Sequence, residues 1–306
     1  MYKPAIMDDY QTALGAKKKL QAASFSLAVN VLLILLKLSV VYVTGSLAIL
    51  AELLHSFFDM LASIFAYAGI RKAQEPADDS HLFGHEKFEN LSSLAQTVLI
   101  VITSFVIIYE AYGRILKPVK VESSELGLAV MVLTIIIDYS LAKYLHKTSK
   151  DYGSVALEAD AYHFSTDLWG AVSVIVGLVF VALGFPVFDS IAAIAVAILM
   201  LWISYHLGIK AIHALTDMSP PKKVIDRISE SVSSTNGVES FHKLRVRQAG
   251  SKYLVEVHIQ VSPKKSVEEG HYIGHEVNER VIKDLPDVKE VTVHVEPKTP
   301  RFRRKI

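Results

Sequence analysis

Long apolar runs broken by short polar stretches dominate the first two thirds of this chain. A bilayer crossing needs about 20 mainly apolar residues. Six runs qualify as candidate spans, at roughly 21–44, 46–70, 88–114, 125–145, 154–184 and 187–214. Leu168 to Phe188 carries no charge at all, whereas Asp138 interrupts the fourth run directly after Leu126 to Ile137. Thr44-Gly45 and Gly184-Phe185-Pro186 read as tight turns, which makes spans one and two, and spans five and six, antiparallel hairpins. Lys17, Lys18, Lys19, Arg71, Lys72, Lys87, Lys143, Lys147 and Lys150 collect on one side, against Arg114, Lys117 and Lys120 on the other. The excess of Lys and Arg marks the cytoplasmic side, and both termini fall there. A multi-pass protein of the cell membrane, embedded in lipid, is expected.

The pattern changes after Asp217, with Pro220-Pro221 at the break. Lys222 to Ser234 places Val224, Ile225, Ile228 and Val232 at helical spacing. Asn236-Gly237 is a turn, and Ser240 to Gln248 and Tyr253 to Val261 alternate as a hairpin joined at Gly250-Ser251. Val267 to Ile282 reads as a second helix and Val288 to Val295 as a third strand. This αββαβ order predicts an α+β domain with helices on one face of a small sheet. The expected organisation is an α-helical membrane protein: a six-helix transmembrane domain at 1–217, a cytoplasmic α+β domain at 218–297, and a basic tail at 298–306.

Composition narrows the chemistry. Of 306 residues 51% are hydrophobic, too many for an ordinary soluble globule. Cysteine is absent, so a metal must be held by His and carboxylate. The net charge of +1 and the lack of a basic, aromatic block exclude a nucleic-acid partner. The stretch Met1 to Gln21 shows no signal-peptide pattern, so the first span is expected to serve as the insertion signal.

Two polar pairs interrupt the apolar runs with the same spacing: His55 with Asp59, and His163 with Asp167. Residues i and i+4 share one helix face. Two such pairs facing each other supply two imidazoles and two carboxylates, a full tetrahedral set for Zn²⁺. Charged groups at membrane depth are costly and usually functional; the plainer alternative is a pair of polar contacts between helices. Ligands must be deprotonated to bind metal, so metal and protons compete for one site, as an antiporter requires. Glu52, one turn from His55, and Asp138 are further acids at this depth.

Asp78, His81 and His85 fall within eight residues of the loop after span two, a compact three-ligand candidate or simply a solvated acidic loop. The soluble domain carries His242, His258, His271, His275, His294 and Glu296, a density of ligands above ordinary composition. His146, His206 and His213 read as interfacial residues without a role.

The run Ser46-Leu47-Ala48-Ile49-Leu50-Ala51-Glu52-Leu53-Leu54-His55-Ser56-Phe57-Phe58-Asp59 resembles the signature of the cation diffusion facilitator family. The resemblance continues through Pro76 to Lys87, the His163/Asp167 pair and the αββαβ segment. It implies a homodimeric antiporter exchanging divalent metal for protons, not an enzyme, with a metallochaperone-like cytoplasmic domain. The resemblance places the transport site at His55, Asp59, His163 and Asp167, and a loop site at Asp78, His81 and His85. Cytoplasmic sites fall at His242, His258, His271, His294 and Glu296. Lys87 and Asp217 match a charge pair that locks the dimer. His rather than Asp at position 55 implies Zn²⁺ over Cd²⁺, in line with the preference of imidazole for Zn²⁺ and of Mn²⁺ for oxygen. Zn²⁺ is thus expected as both cargo and regulator. The chain departs from the family at Glu52, where Asp or Ala is usual, at Glu296, where bacterial relatives carry Asp, and at the unmatched His275. Two rivals remain: a metal-sensing membrane scaffold that does not transport, and a membrane zinc hydrolase. A closed four-ligand site leaves the hydrolase no position for water. Fe²⁺, Cd²⁺ or Mn²⁺ is the alternative cargo.

Overall fold

The computed structural model describes residues 4–44, 47–116, 125–182 and 187–298. The Gly45 and Gly184-Phe185-Pro186 turns and the basic tail from Arg301 lie outside the described residues, as do the side chains of Glu52 and His55. The chain divides into two compact units, Met1–Ile212 and His213–Ile306.

The first unit is built from long helices: α1 (Pro4–Thr44), α2 (Leu47–Ala73), α3 (Lys87–Leu116), α4 (Glu125–Tyr152), α5 (Val155–Ala182) and α6 (Val187–Leu215). Helix α1 has 41 residues and starts well before the expected span. At 1.5 Å per residue it reaches about 60 Å, twice the hydrocarbon thickness, so its polar first half continues the helix beyond the apolar run. Among the described residues, Leu14–Tyr42, Lys87–Leu116 and Ser190–Leu215 are long and apolar enough to cross a membrane. Helix α5 carries Glu158, Asp160 and Asp167 in its N-terminal half.

Small residues let these helices approach. Ala22 and Ala23 of α1, Ile70 of α2, Leu141, Ala142 and Leu145 of α4, and Ala156, Leu157, Ala161 and Phe164 of α5 form one buried cluster. At Gly69 a Cβ would stand 2.2 Å from Ser92 Oγ, so α2 and α3 touch through a residue with no side chain. Helix α4 runs on to Tyr152 and stops where Gly153 turns left-handed at φ 63°; Ser154 N–H then donates to Ser149 O at 2.9 Å.

The second unit comprises α7 (Lys222–Ser233), β1 (Ser240–Ala249), β2 (Lys252–Val261), α8 (Val267–Asp284) and β3 (Val288–Pro297), the expected αββαβ order. Strands β1 and β2 pair antiparallel; β3 joins β2 in parallel after the α8 crossover. Val255, Val257, Ile259 and Val261 of β2 pack with Ile228 and Val232 of α7 and with Ile273, Val277 and Val281 of α8. Both helices therefore cover one face of the sheet. The even-numbered residues of β2 point to the other. Ser266 opens α8 with a capping box, its hydroxyl accepting Glu269 N–H at 3.1 Å while the Glu269 carboxylate accepts Ser266 N–H at 2.8 Å.

Candidate metal centre

Helices α2 and α5 bring Asp59, His163 and Asp167 together, all their ligand atoms within 4.8 Å of one another. His163 Nε2 lies 3.1 Å from Asp59 Oδ1 and 3.6 Å from Asp167 Oδ2. Asp59 and His163 are buried. One imidazole thus stands between two carboxylates, one from its own helix and one from a neighbour. His55 belongs to the same helix as Asp59, one turn earlier.

Asp138, already noted as an acid at this depth, and several polar residues without an expected role surround this group. Asn30 of α1 donates to the Asp59 carbonyl oxygen at 3.3 Å and to Ser63 Oγ at 2.8 Å. Lys37, buried two turns before the end of α1, donates to Ser56 Oγ at 2.7 Å. Asp138 is buried on α4, and Asp160 is fully buried on α5. Spacing carried a signal for two of them: Ser63 follows Asp59 by four positions, and Asp160 precedes His163 by three.

The loop between α2 and α3 assembles the second group, Asp78, His81 and His85. Asp78 Oδ1 accepts Ser80 N–H, Ser80 Oγ–H and His81 N–H at 2.9, 2.7 and 2.7 Å, an Asx turn that fixes the carboxylate. The Ser80 hydroxyl and the His81 amide hold this carboxyl well below its ordinary range, so it is ionised. His85 sits with Nδ1 3.0 Å from Pro76 O and turns Nε2 to within 3.2 Å of Asp78 Oδ2. His81 Nδ1 lies 3.5 Å from Asp78 Oδ1.

The third group lies across the sheet. His242, His258 and His294 are register partners on β1, β2 and β3, forming one row of imidazoles on the face away from the helices. Glu296, two positions on, shares that face. Its Oε2 lies 3.0 Å from His242 Nε2 and its Oε1 2.8 Å from His258 Nδ1. His258, then His242, lower the Glu296 carboxyl below its usual range. His294 Nε2 is farther, 3.5 Å from Glu296 Oε1. His271 lies apart from this row. It is on α8, in the helical layer, with its ring 4.6 Å from His275. Asp217, which precedes α7, has φ 57° and an Arg247 contact at 3.7 Å; Lys87 begins α3.

Comparison with known proteins decides the family. The model of the cation efflux transmembrane domain matches residues 23–216, and that of the cation efflux protein cytoplasmic domain matches 220–298. The chain belongs to the cation diffusion facilitator family. This facilitator is 31% identical over 271 residues to an uncharacterised transporter of Methanocaldococcus jannaschii, covering 89% of this chain and 95% of that one. It is 32% identical to the cation-efflux pump FieF of Shewanella oneidensis, over 90% of this chain and 93% of that pump. FieF of Salmonella paratyphi A is 28% identical, over 93% of this chain and 95% of its own. The facilitator is a membrane-spanning efflux transporter of divalent metal cations and not an enzyme, with a helical transmembrane domain followed by a cytoplasmic sheet-and-helix domain.

Proposed function

We propose that this facilitator exports Zn²⁺ from the cytoplasm in exchange for protons, at a site formed by His55, Asp59, His163 and Asp167. The carrying observation is His163 Nε2 between Asp59 and Asp167, buried at the α2–α5 contact. Mixed nitrogen and oxygen ligands suit a borderline cation such as Zn²⁺ better than Mn²⁺, which prefers oxygen alone. The imidazole lone pair that takes the metal also takes a proton, so one ion leaves when the other arrives.

The same reading covers the rest of the chain. Residues 1–217 form a six-span domain in the cell membrane with both termini cytoplasmic; residues 218–297 form a regulatory domain that binds Zn²⁺ through the imidazole row and Glu296. Dimerisation runs through that domain and the Lys87/Asp217 region, and the Asp78, His81 and His85 loop offers an additional metal site. Flux into proteoliposomes under an imposed pH gradient, compared for Zn²⁺, Cd²⁺, Fe²⁺ and Mn²⁺, tests the cargo. Zn²⁺ should move fastest. Faster Fe²⁺ or Mn²⁺ flux would reassign it, and metal binding without flux of any cation would leave a sensor.

A further inference from the structure

Asp160 takes no part in the candidate transport site, yet it is fully buried three positions before His163 on α5. Its carboxyl oxygens meet hydroxyls from two other helices. Ser26 Oγ of α1 lies 2.6 Å from Oδ2, and Ser63 Oγ of α2 lies 3.1 Å from Oδ1. The two hydroxyl oxygens are 3.0 Å apart. Ser63 Oγ also accepts Asn30 Nδ2 at 2.8 Å, and that amide nitrogen reaches the Asp59 carbonyl oxygen at 3.3 Å.

Protons can be counted around this triangle. All three oxygen–oxygen contacts are hydrogen bonds only if three hydrogens are present, and each serine supplies one. An ionised Asp160 only accepts, so one contact would bring lone pairs together without a hydrogen between them. A carboxylic acid supplies the missing one. Asp160 Oδ2–H then donates to Ser26, Ser26 to Ser63, and Ser63 to Asp160 Oδ1. Every hydroxyl is used and the ring closes. Among the described residues the hydrogen-bond partners of Asp160 are these two serines; its titratable neighbours are His163 and Asp167 of its own helix, and full burial disfavours the ion.

We propose that Asp160 is a positioning residue, a neutral carboxylic acid that pins α1, α2 and α5 together and, through Ser63 and Asn30, fixes the main chain carrying Asp59. The ring stands on geometry alone, while its consequence for transport rests on the proposed Asp59 site.

The test uses the full-length protein. Asp160→Asn offers a carbonyl acceptor and an NH2 group, one of whose two N–H groups replaces the acid's donor at nearly the same size, so it preserves the ring; Asp160→Ala breaks it. Asp160→Asn should leave the Zn²⁺ KM and the pH profile of flux within about twofold of the parent, and Asp160→Ala should raise KM about tenfold without moving the pH profile. Asn30→Ala, which cuts only the tether to Asp59, should raise KM likewise and serves if Asp160→Ala does not fold. The parent-minus-Asp160→Asn infrared difference at neutral pH should show the carbonyl band of one protonated carboxyl. A carboxylate band in its place, or damage from Asp160→Asn equal to that from Asp160→Ala, would overturn the neutral ring. A shifted pH profile in Asp160→Asn would make Asp160 itself a proton exchanger and overturn the positioning role. An unchanged KM in Asn30→Ala would overturn the tether. Absence of Zn²⁺ flux in the parent protein would instead overturn the transport reading, and the infrared band alone would then decide the ring.

Discussion

His163 reaches across from α5 to place Nε2 3.1 Å from Asp59 Oδ1 on α2. The contact joins two helices through groups that bind either a proton or a metal ion, so disturbing it should affect transport before it affects the fold.

Asp59→Ala removes one carboxylate from this group. The remaining ligands hold a divalent cation with its charge uncompensated in a buried place. Loss of an outer partner alone typically costs 10–100-fold in metal affinity, and loss of a direct ligand should cost at least about 100-fold in flux. Circular dichroism and size-exclusion behaviour should stay those of the parent. Parent-level flux in folded Asp59→Ala protein would remove Asp59 from the site.

Packing gives a separate prediction at Gly69. A Cβ there would meet Ser92 Oγ at 2.2 Å and Ser92 Cβ at 2.3 Å, so Gly69→Ala must push α2 and α3 apart. Overpacking of this kind costs about 1–3 kcal/mol. The thermal midpoint of the detergent-solubilised protein should fall, and Ser92→Gly on the facing helix should recover part of it. An unchanged midpoint would mean the helices yield without cost.

How much of this was legible beforehand depended on what each signal was made of. The αββαβ order followed from alternation in Tyr253 to Val261 and from helical spacing around Ile228, because period alone separates strand from helix. The Asp59, His163 and Asp167 group was legible because i,i+4 spacing survives folding as a shared face. Ser26 and Asn30 were not, since their meaning comes from three helices converging and no single segment marks it; Ser63 and Asp160 carried only a helical spacing to Asp59 and His163. His271 shows the opposite limit. Its composition grouped it with the other histidines, whereas the sheet separates the α8 layer from the imidazole row.

In the cytoplasmic domain, Zn²⁺ should stabilise residues 213–306 by mass action. At a metal concentration a hundredfold above Kd the gain is about 2.7 kcal/mol. A thermal midpoint several degrees higher with Zn²⁺ than with chelator is expected, and His242→Ala combined with His258→Ala should abolish the difference. A full shift in that double variant would place the metal elsewhere.

Acid should weaken the same domain even without metal. The folded state holds the Glu296 carboxyl below its ordinary value of 4.5, chiefly through His258. A depressed carboxyl contributes its stability above the unfolded value and loses it as pH falls through the folded one. In chelator, the midpoint should therefore drop as pH is lowered through and below 4.5, and Glu296→Gln should make that drop shallower. An identical acid limb in Glu296→Gln would show that the contact is too exposed to matter.

Exchange at one site is the central claim, and simultaneous recording of Zn²⁺ and pH inside proteoliposomes tests it most directly. Zn²⁺ entry should be matched by proton exit, an imposed proton gradient should drive Zn²⁺ uphill, and His163→Ala should abolish both movements together. Zn²⁺ flux with no opposing proton movement, or proton-coupled flux that survives His163→Ala, would contradict it.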